Sequence, residues 1–261
     1  MNQKIIFFDI DGTLYDSEVG VPESARKAIN NLLEKNHIPI ICTGRTRAMI
    51  PEYLMNIGFM GIIAGAGTYV EYKGEVVHNK VVGEEETKEI LSFLQKNGIK
   101  HVAEGPEHVY FDPNDSSEEY DFINQLLDVI GKAKGKSIDH DNVRINKISC
   151  FTNNSEEETK ILQFIENKYH EIIHHGGVLE LLPLGYTKAT GIQTLLKHLR
   201  IDRKDTYAFG DSMNDIEMLD YVEYGIAMGN SYTEVLKMAK YKTKSLKEDG
   251  IFYGLKEFGL I

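Results

Sequence analysis

Cysteine is scarce in this chain: Cys42 and Cys150 are the only two in 261 residues, each stands alone in an apolar stretch, and neither belongs to a C-x-x-C pair. A disulfide framework is excluded, and two buried thiols in a reducing compartment are expected. Arg45 follows Cys42 too closely for the longer phosphate-wrapping loop of a cysteine phosphatase. Proline is scarce as well, six against 23 glycines, and no segment is low in complexity or repeated in tandem. Disorder, collagen and coiled coil are thereby excluded. No apolar run approaches the ~20 residues of a membrane-spanning helix. The N-terminus, Met1-Asn2-Gln3-Lys4 before a short run broken by Asp9, lacks a signal-peptide core and cleavage site, so a cytoplasmic protein is expected. An excess of positive charge is also missing: 29 Lys and Arg against 40 Asp and Glu leave a net charge of −11. A field of that sign repels phosphate backbones and anionic lipid, which argues against nucleic acid or membrane as partner. A monomer or weak dimer is expected.

What is present is a soluble globular composition, 42% hydrophobic and 26% charged, in a length fitting one or two domains. Ile5 to Phe8 is a short apolar run ending in Asp9-Ile10-Asp11-Gly12-Thr13, the pattern of a buried strand opening into a loop. Glu23 to Lys35 has helical spacing after Pro22, Ile38 to Cys42 is a second strand leading into Thr43-Gly44-Arg45, and Gly61 to Ala64 is a third. This alternation predicts an α/β fold built on a doubly wound parallel sheet, with ligands at the carboxyl ends of the strands. Tyr69 to Tyr72 and Val76 to Val82 flank Lys73-Gly74, a hairpin signal. Residues 83–185 follow a different texture. An acidic helix, two strands around Gly105-Pro106, a helix near Ser117 to Ile130, a strand from Val143 to Phe151, a helix from Glu156 to Tyr169 and an apolar run from Val178 to Leu182 suggest a mixed α/β insert. That insert holds 20 acidic and 10 basic side chains, so nearly all the net charge belongs to it. After Gly185 the parallel pattern resumes with a helix from Lys188, a strand Thr206 to Phe209 ending in Gly210-Asp211, and a strand Gly225 to Met228. The expected organisation is a sheet core of residues 1–82 and 186–261, split by a cap of residues 83–185. Such an insertion costs little loop-closure entropy.

If the first strand and the one ending at Gly210 share a sheet, Asp9, Asp11 and Asp211 converge on one rim. Like charges ~4 Å apart repel by about 4 kcal/mol at an effective dielectric near 20, so the cluster should hold a cation or keep a proton. All-oxygen ligation favours Mg²⁺ over zinc. Thr43-Gly44 and Lys188 add a hydroxyl, a backbone N–H and a point charge, a set suited to a phosphate dianion.

Taken together, Asp9 to Leu14, Thr43 to Arg45, Lys188, and Gly210 to Asp215 resemble, in order, the four motifs of the haloacid dehalogenase-like phosphohydrolases. Glu180 to Gly185 and Ala227 to Asn230 extend the likeness to the Cof-type sugar-phosphatase branch, which carries a large α/β cap. The resemblance implies that Asp9 attacks phosphorus and forms an aspartyl phosphate, while Asp11 protonates the leaving group and later deprotonates water. It implies Mg²⁺ held by Asp9, the Asp11 carbonyl and Asp211, with Asp215 as an outer ligand. It also implies a phosphoryl group held by Thr43, the Ile10 and Gly44 amides, Lys188 and Asn214. A small phosphorylated metabolite would be the partner, with Arg45, Arg47, Glu180 and Tyr186 as candidate specificity contacts. Three departures stand out: Gly65-Ala66-Gly67 replaces an Asn-Gly-Ala, Ala189 replaces a Gly after the lysine, and Thr187 stands where Ser, Asp or Asn is commoner. A phosphosugar mutase and a non-catalytic phospho-ligand binder are the alternatives.

One rival signal is His170-Glu171-Ile172-Ile173-His174, a literal H-E-x-x-H. Its ligands need an uninterrupted helix. The β-branched pair before Gly176-Gly177 predicts a helix end or short strand instead. Asn114-Asp115-Ser116 and Asn153-Asn154-Ser155 are glycosylation sequons without meaning in an unsecreted protein. Gly65-Ala66-Gly67 lacks the third glycine of a dinucleotide fingerprint, and no Walker A pattern occurs.

Overall fold

The computed structural model describes residues 3–112, 118–139, 142–174 and 176–261. Asn114 to Ser117 and His175 lie outside the described residues. In chain order the elements are β1 (Ile5–Phe8), α1 (Glu23–Glu34), β2 (Ile38–Cys42), α2 (Glu52–Met55), β3 (Gly61–Ala64), β4 (Tyr69–Tyr72) and β5 (Glu75–Asn79). Then come α3 (Glu84–Lys96), β6 (Lys100–Glu104), β7 (Val109–Phe111), α4 (Glu118–Ile130), β8 (Gly135–Ser137), β9 (Lys147–Phe151), α5 (Ser155–Ile165), β10 (Tyr169–His174) and β11 (Val178–Pro183). The chain closes with α6 (Lys188–Leu199), β12 (Thr206–Gly210), α7 (Ile216–Tyr221), β13 (Tyr224–Ala227), α8 (Thr233–Met238), β14 (Tyr241–Lys242) and α9 (Gly250–Glu257). Two compact units result: Met1–Gly44, Tyr53–His78 and Thr187–Ile261 form one, Arg45–Glu52 and Asn79–Tyr186 the other. The segment Arg45–Glu52 thus groups with the second unit.

In the first unit the sheet order is β14-β13-β12-β1-β2-β3-β4-β5. Strands β14 to β3 run parallel, and β4 turns back antiparallel to β3. β1 and β2 are buried at every position, which is why they appear as unbroken apolar runs rather than as alternating ones. Ile5, Phe7, Ile40, Ile63, Ile192, Leu195 and Ala208 share one core. Lys73 and Gly74 both adopt positive φ, 51° and 81°, the paired left-handed turn that suits a two-residue hairpin.

The second unit has its own sheet, ordered β10-β11-β9-β6-β7-β8, antiparallel except where β7 meets β8. Strand alternation sends Ala103 into a core with Ile148, Cys150, Leu179 and Leu181. It sends Val102 to the opposite face with Val109, Ile123 and Leu127. The expected strand from Val143 begins only at Lys147, because Asn146 is diverted: its N–H donates to Glu104 O and its amide to Asn79 Oδ1 and the Lys80 carbonyl. The expected helix to Tyr169 stops at Ile165, and Tyr169 starts β10. Among the described residues no helix is long and apolar enough to cross a membrane.

Candidate active site

The site is assembled by register. In the parallel pairing β1 lies between β12 and β2, with Phe8 opposite Phe209 on one side and Ile41 on the other. The next residues out of these strands are Asp9, Gly210-Asp211 and Cys42-Thr43, so one sheet edge receives them all. The Asp9 N–H donates to the Phe209 carbonyl at 3.0 Å, continuing the ladder by one residue. The carbonyl of Ile10 then accepts the N–H groups of Thr13, Leu14 and Tyr15, folding the loop tightly. Gly12 has φ +83°, and a Cβ there would sit 2.3 Å from Asp211 Oδ2, so only glycine permits this approach.

Asp9, Asp211 and Asp215 are all buried, and each offers an oxygen within 4.8 Å of the others. Lys188, 1% exposed at the start of α6, donates to Asp9 Oδ1 at 2.7 Å and to Asp215 Oδ1 at 2.5 Å. The second Asp215 oxygen accepts the N–H groups of Asp211 and Ser212 at 3.0 and 2.9 Å, and the Ser212 hydroxyl at 3.1 Å. Asp211 Oδ1 accepts the Thr13 hydroxyl at 2.7 Å. Burial, followed by the Asp215 charge, drives the Asp9 carboxyl well above the usual carboxylate range, against the pull of Lys188. Burial raises Asp211 to about 7 even though Thr13 hydrogen-bonds its ionised form. Desolvation disfavours the charged Lys188, yet Asp215 and Asp9 outweigh it and its ammonium is held above its ordinary value.

Three carboxylates against one ammonium leave two negative charges in a buried place. Hard, charged oxygen donors with that deficit fit a divalent cation of the Mg²⁺ type, which would restore neutrality. Among the described residues this is the one group of three or more candidate ligands so clustered. Asp9 and Asp211 are the carboxylates best placed for such an ion. Asp215 is engaged at both oxygens.

Around this centre, Thr43 is buried at the end of β2, with its N–H on the Ile63 carbonyl and its carbonyl accepting from Ala66. Gly44 follows it, half-buried. The one Ser212 hydroxyl hydrogen is shared between Asp215 and Asn214 Oδ1, the nearer acceptor at 2.7 Å. Asp11 is exposed on the loop after β1. Of the candidate specificity contacts, Arg45, Arg47, Glu180 and Tyr186 all belong to the second unit. Arg47 donates to Glu52 at 3.0 Å, while Glu180 is bonded by Lys147 at 2.5 Å and faces His174 at 3.4 Å. Sequence reasoning missed Thr13 as the Asp211 partner and Ser212 as the clasp of the fourth loop. It also missed Asn230 as a tie, its amide donating to the Gly12 carbonyl and its oxygen accepting from Leu246. A hydroxyl residue within each aspartate loop, Thr13 and Ser212, was the available signal.

The H-E-x-x-H run lies on β10, where residues four apart are separated by about 13 Å, too far for both imidazoles to reach one zinc. Both thiols are buried, Cys150 pushed up to about 12 and Cys42 further still by desolvation, as inert structural cysteines require.

The family model of haloacid dehalogenase-like hydrolases matches residues 6–255. The Bacillus subtilis (strain 168) protein named "Putative phosphatase YkrA" is 32% identical, with all of both chains covered. A hypothetical protein from Geobacillus kaustophilus HTA426 superposes with a TM-score of 0.88 at 32% identity over all of both chains. The HAD subclass IIB sugar phosphatase BT4131 does so at 0.81 and 27% identity, covering 99% of this chain and 100% of its own. The chain belongs to the haloacid dehalogenase-like hydrolase family, in its Cof-type branch. It is a phosphatase of that family, and its α/β sheet with a second mixed α/β unit is the family's architecture.

Proposed function

We propose that the protein hydrolyses phosphomonoesters of small metabolites, sugar phosphates foremost, through an aspartyl phosphate on Asp9. The observation that carries this reading is the Asp9 carboxylate, buried at the end of β1, bonded by Lys188 and grouped with Asp211. Mg²⁺ would be held by Asp9, Asp211 and the Asp11 carbonyl, and when bound it supplies positive charge that keeps Asp9 ionised and neutralises phosphoryl oxygens. Asp9 forms a bond to phosphorus as the ester oxygen leaves, and Asp11, on the exposed side of the loop, gives that oxygen its proton. Asp11 then takes a proton from water as the water oxygen attacks phosphorus, phosphate departs and Asp9 is regenerated. Lys188, Thr43, the Ile10 and Gly44 amides and Asn214 hold the equatorial oxygens where charge builds. The sugar-phosphate preference rests on the similarity to a subclass IIB sugar phosphatase.

The test is phosphate release from p-nitrophenyl phosphate and a panel of sugar phosphates. Turnover should require Mg²⁺, stop with EDTA and fall by at least about 10⁴-fold in Asp9→Asn, since removal of a covalent nucleophile costs that order. A protein that releases no phosphate from any monoester, or an Asp9→Asn variant that keeps its rate, overturns the reading. Transfer of the phosphoryl group within a sugar without its release would favour the mutase alternative.

A further inference from the structure

The second unit contains a cavity that the chemistry at Asp9 does not use. The turn after β6, strands β7 and β8 and the segment before β9 enclose about 170 Å³, lined by His108, Tyr110, Lys136 and Arg144 together with Glu107 and Asn142. This is below the 300–1,000 Å³ of drug-sized sites, which points to a small ligand. Tyr110 is 3% exposed, and its hydroxyl donates to the Asn142 carbonyl and accepts the Arg144 N–H, both at 3.4 Å. Its ring is therefore fixed, with the His108 ring 6.0 Å away at 55°. The two rings form an apolar wall.

The charge is what distinguishes this place. Residues 83–185 hold twice as many acidic as basic side chains. Lys88, Lys132, Lys134, Lys160 and Lys168 of this unit each pair with a carboxylate, whereas Lys80 and Lys96 do not among the described residues. The ammonium of Lys136 and the guanidinium of Arg144 have no such partner among the described residues, yet both line the same cavity. Two cations without a carboxylate partner, lining one cavity with a single carboxylate, Glu107, leave it a net positive charge suited to an anion. A point charge beside a planar fork suits a phosphoryl dianion.

We propose that this cavity binds a small phosphate ester. Its phosphoryl group lies between Lys136 and Arg144, the C–H face of its organic part rests on the rings of His108 and Tyr110, and Glu107 and Asn142 take its hydroxyls. The proposal is independent of hydrolysis at Asp9. Calorimetric titration of the full chain in EDTA, with glucose 6-phosphate and separately with inorganic phosphate, tests it. ¹H–¹⁵N spectra locate the bound probe. Glucose 6-phosphate should shift the amides of Tyr110, Lys136 and Arg144, and K136E/R144E should weaken this binding at least about tenfold, as loss of charge-assisted hydrogen bonds demands. The charge-retaining pair K136R/R144K should lose less of it than K136E/R144E does, which separates charge from misfolding. Inorganic phosphate should bind more weakly than the ester. Equal affinity for the two probes, an unchanged isotherm in K136E/R144E, or shifts confined to residues around Asp9 each overturn the proposal.

Discussion

Both oxygens of Asp215 are occupied by groups of the protein itself: one accepts Lys188, the other two backbone N–H groups and the Ser212 hydroxyl. A carboxylate so saturated has little left to offer a metal, whereas Asp211 has a single side-chain hydrogen-bond partner among the described residues, Thr13. The spacing Gly210-Asp211-Ser212-Met213-Asn214-Asp215 could not separate the two aspartates, because their difference lies in which backbone groups the loop turns toward each. Asp211→Asn should raise the Mg²⁺ concentration needed for half-maximal turnover by at least about tenfold. Asp215→Asn should leave that requirement within a few-fold while lowering the maximal rate. It should not destabilise the fold, since Lys188 keeps Asp9 as its partner and one of two surplus negative charges is removed. Magnesium titrations of activity and urea unfolding of both variants check the pair. An Asp215→Asn variant with the larger metal defect would make Asp215 the ligand instead.

The elements explain the departures at Gly65-Ala66-Gly67 and Thr187. All three residues of the tripeptide have positive φ, 53°, 48° and 98°. A Cβ on Gly67 would lie 2.2 Å from the Thr187 carbonyl, where α6 begins, and a Cβ on Gly191 of that helix would lie 2.9 Å from the Gly67 Cα. The glycine at 67 thus sets where the helix carrying Lys188 starts. Thr187 caps it, its hydroxyl accepting the Thr190 N–H while Thr190 reaches back to the Thr187 N–H. Ser, Asp and Asn are all N-capping residues, so the local demand is for a cap rather than for one side chain. Gly67→Ala should cost about 1–3 kcal/mol and reduce turnover without abolishing Mg²⁺ binding, because it displaces Lys188 and leaves Asp9 and Asp211 alone. Thr187→Ser should be nearly silent and Thr187→Ala should lose about 1 kcal/mol. Thermal unfolding and steady-state rates of the three variants decide this. At this scale the apolar strands were legible because burial on both faces writes a continuous run. β8, Gly135-Lys136-Ser137, and the two-residue β14 were not, because pairing with neighbours holds them and neither carries an apolar pattern of its own.

Across the whole molecule, two units with separate cores are stabilised by different means. In the second unit Lys147 is buried between Glu104 at 3.3 Å and Glu180 at 2.5 Å, and Glu104 also accepts from Ser149 and Thr46. Burial alone would raise Glu180, but Lys147 and His174 outweigh it and hold its carboxyl at about 2, against an ordinary 4.5. Glu104, farther from the ammonium, is instead raised by burial. Because the folded value of Glu180 lies below its unfolded one, its contribution is complete above about pH 4.5 and is lost as the pH falls toward 2. Lys147→Met should cost about 3–5 kcal/mol at pH 7 by taking the shared ammonium from two buried carboxylates, and the deficit should shrink as the pH falls and they take up protons. In the first unit the unbalanced charge sits at Asp9, Asp211 and Asp215, where a bound Mg²⁺ should raise stability by mass action and Asp211→Asn should remove most of that gain. Thermal scans should therefore separate the two effects: Mg²⁺ moves the transition that Gly67→Ala lowers, and Lys147→Met lowers the other. If Mg²⁺ fully restores the transition that Lys147→Met depresses, the units unfold as one cooperative body and the division of stabilising interactions between them fails.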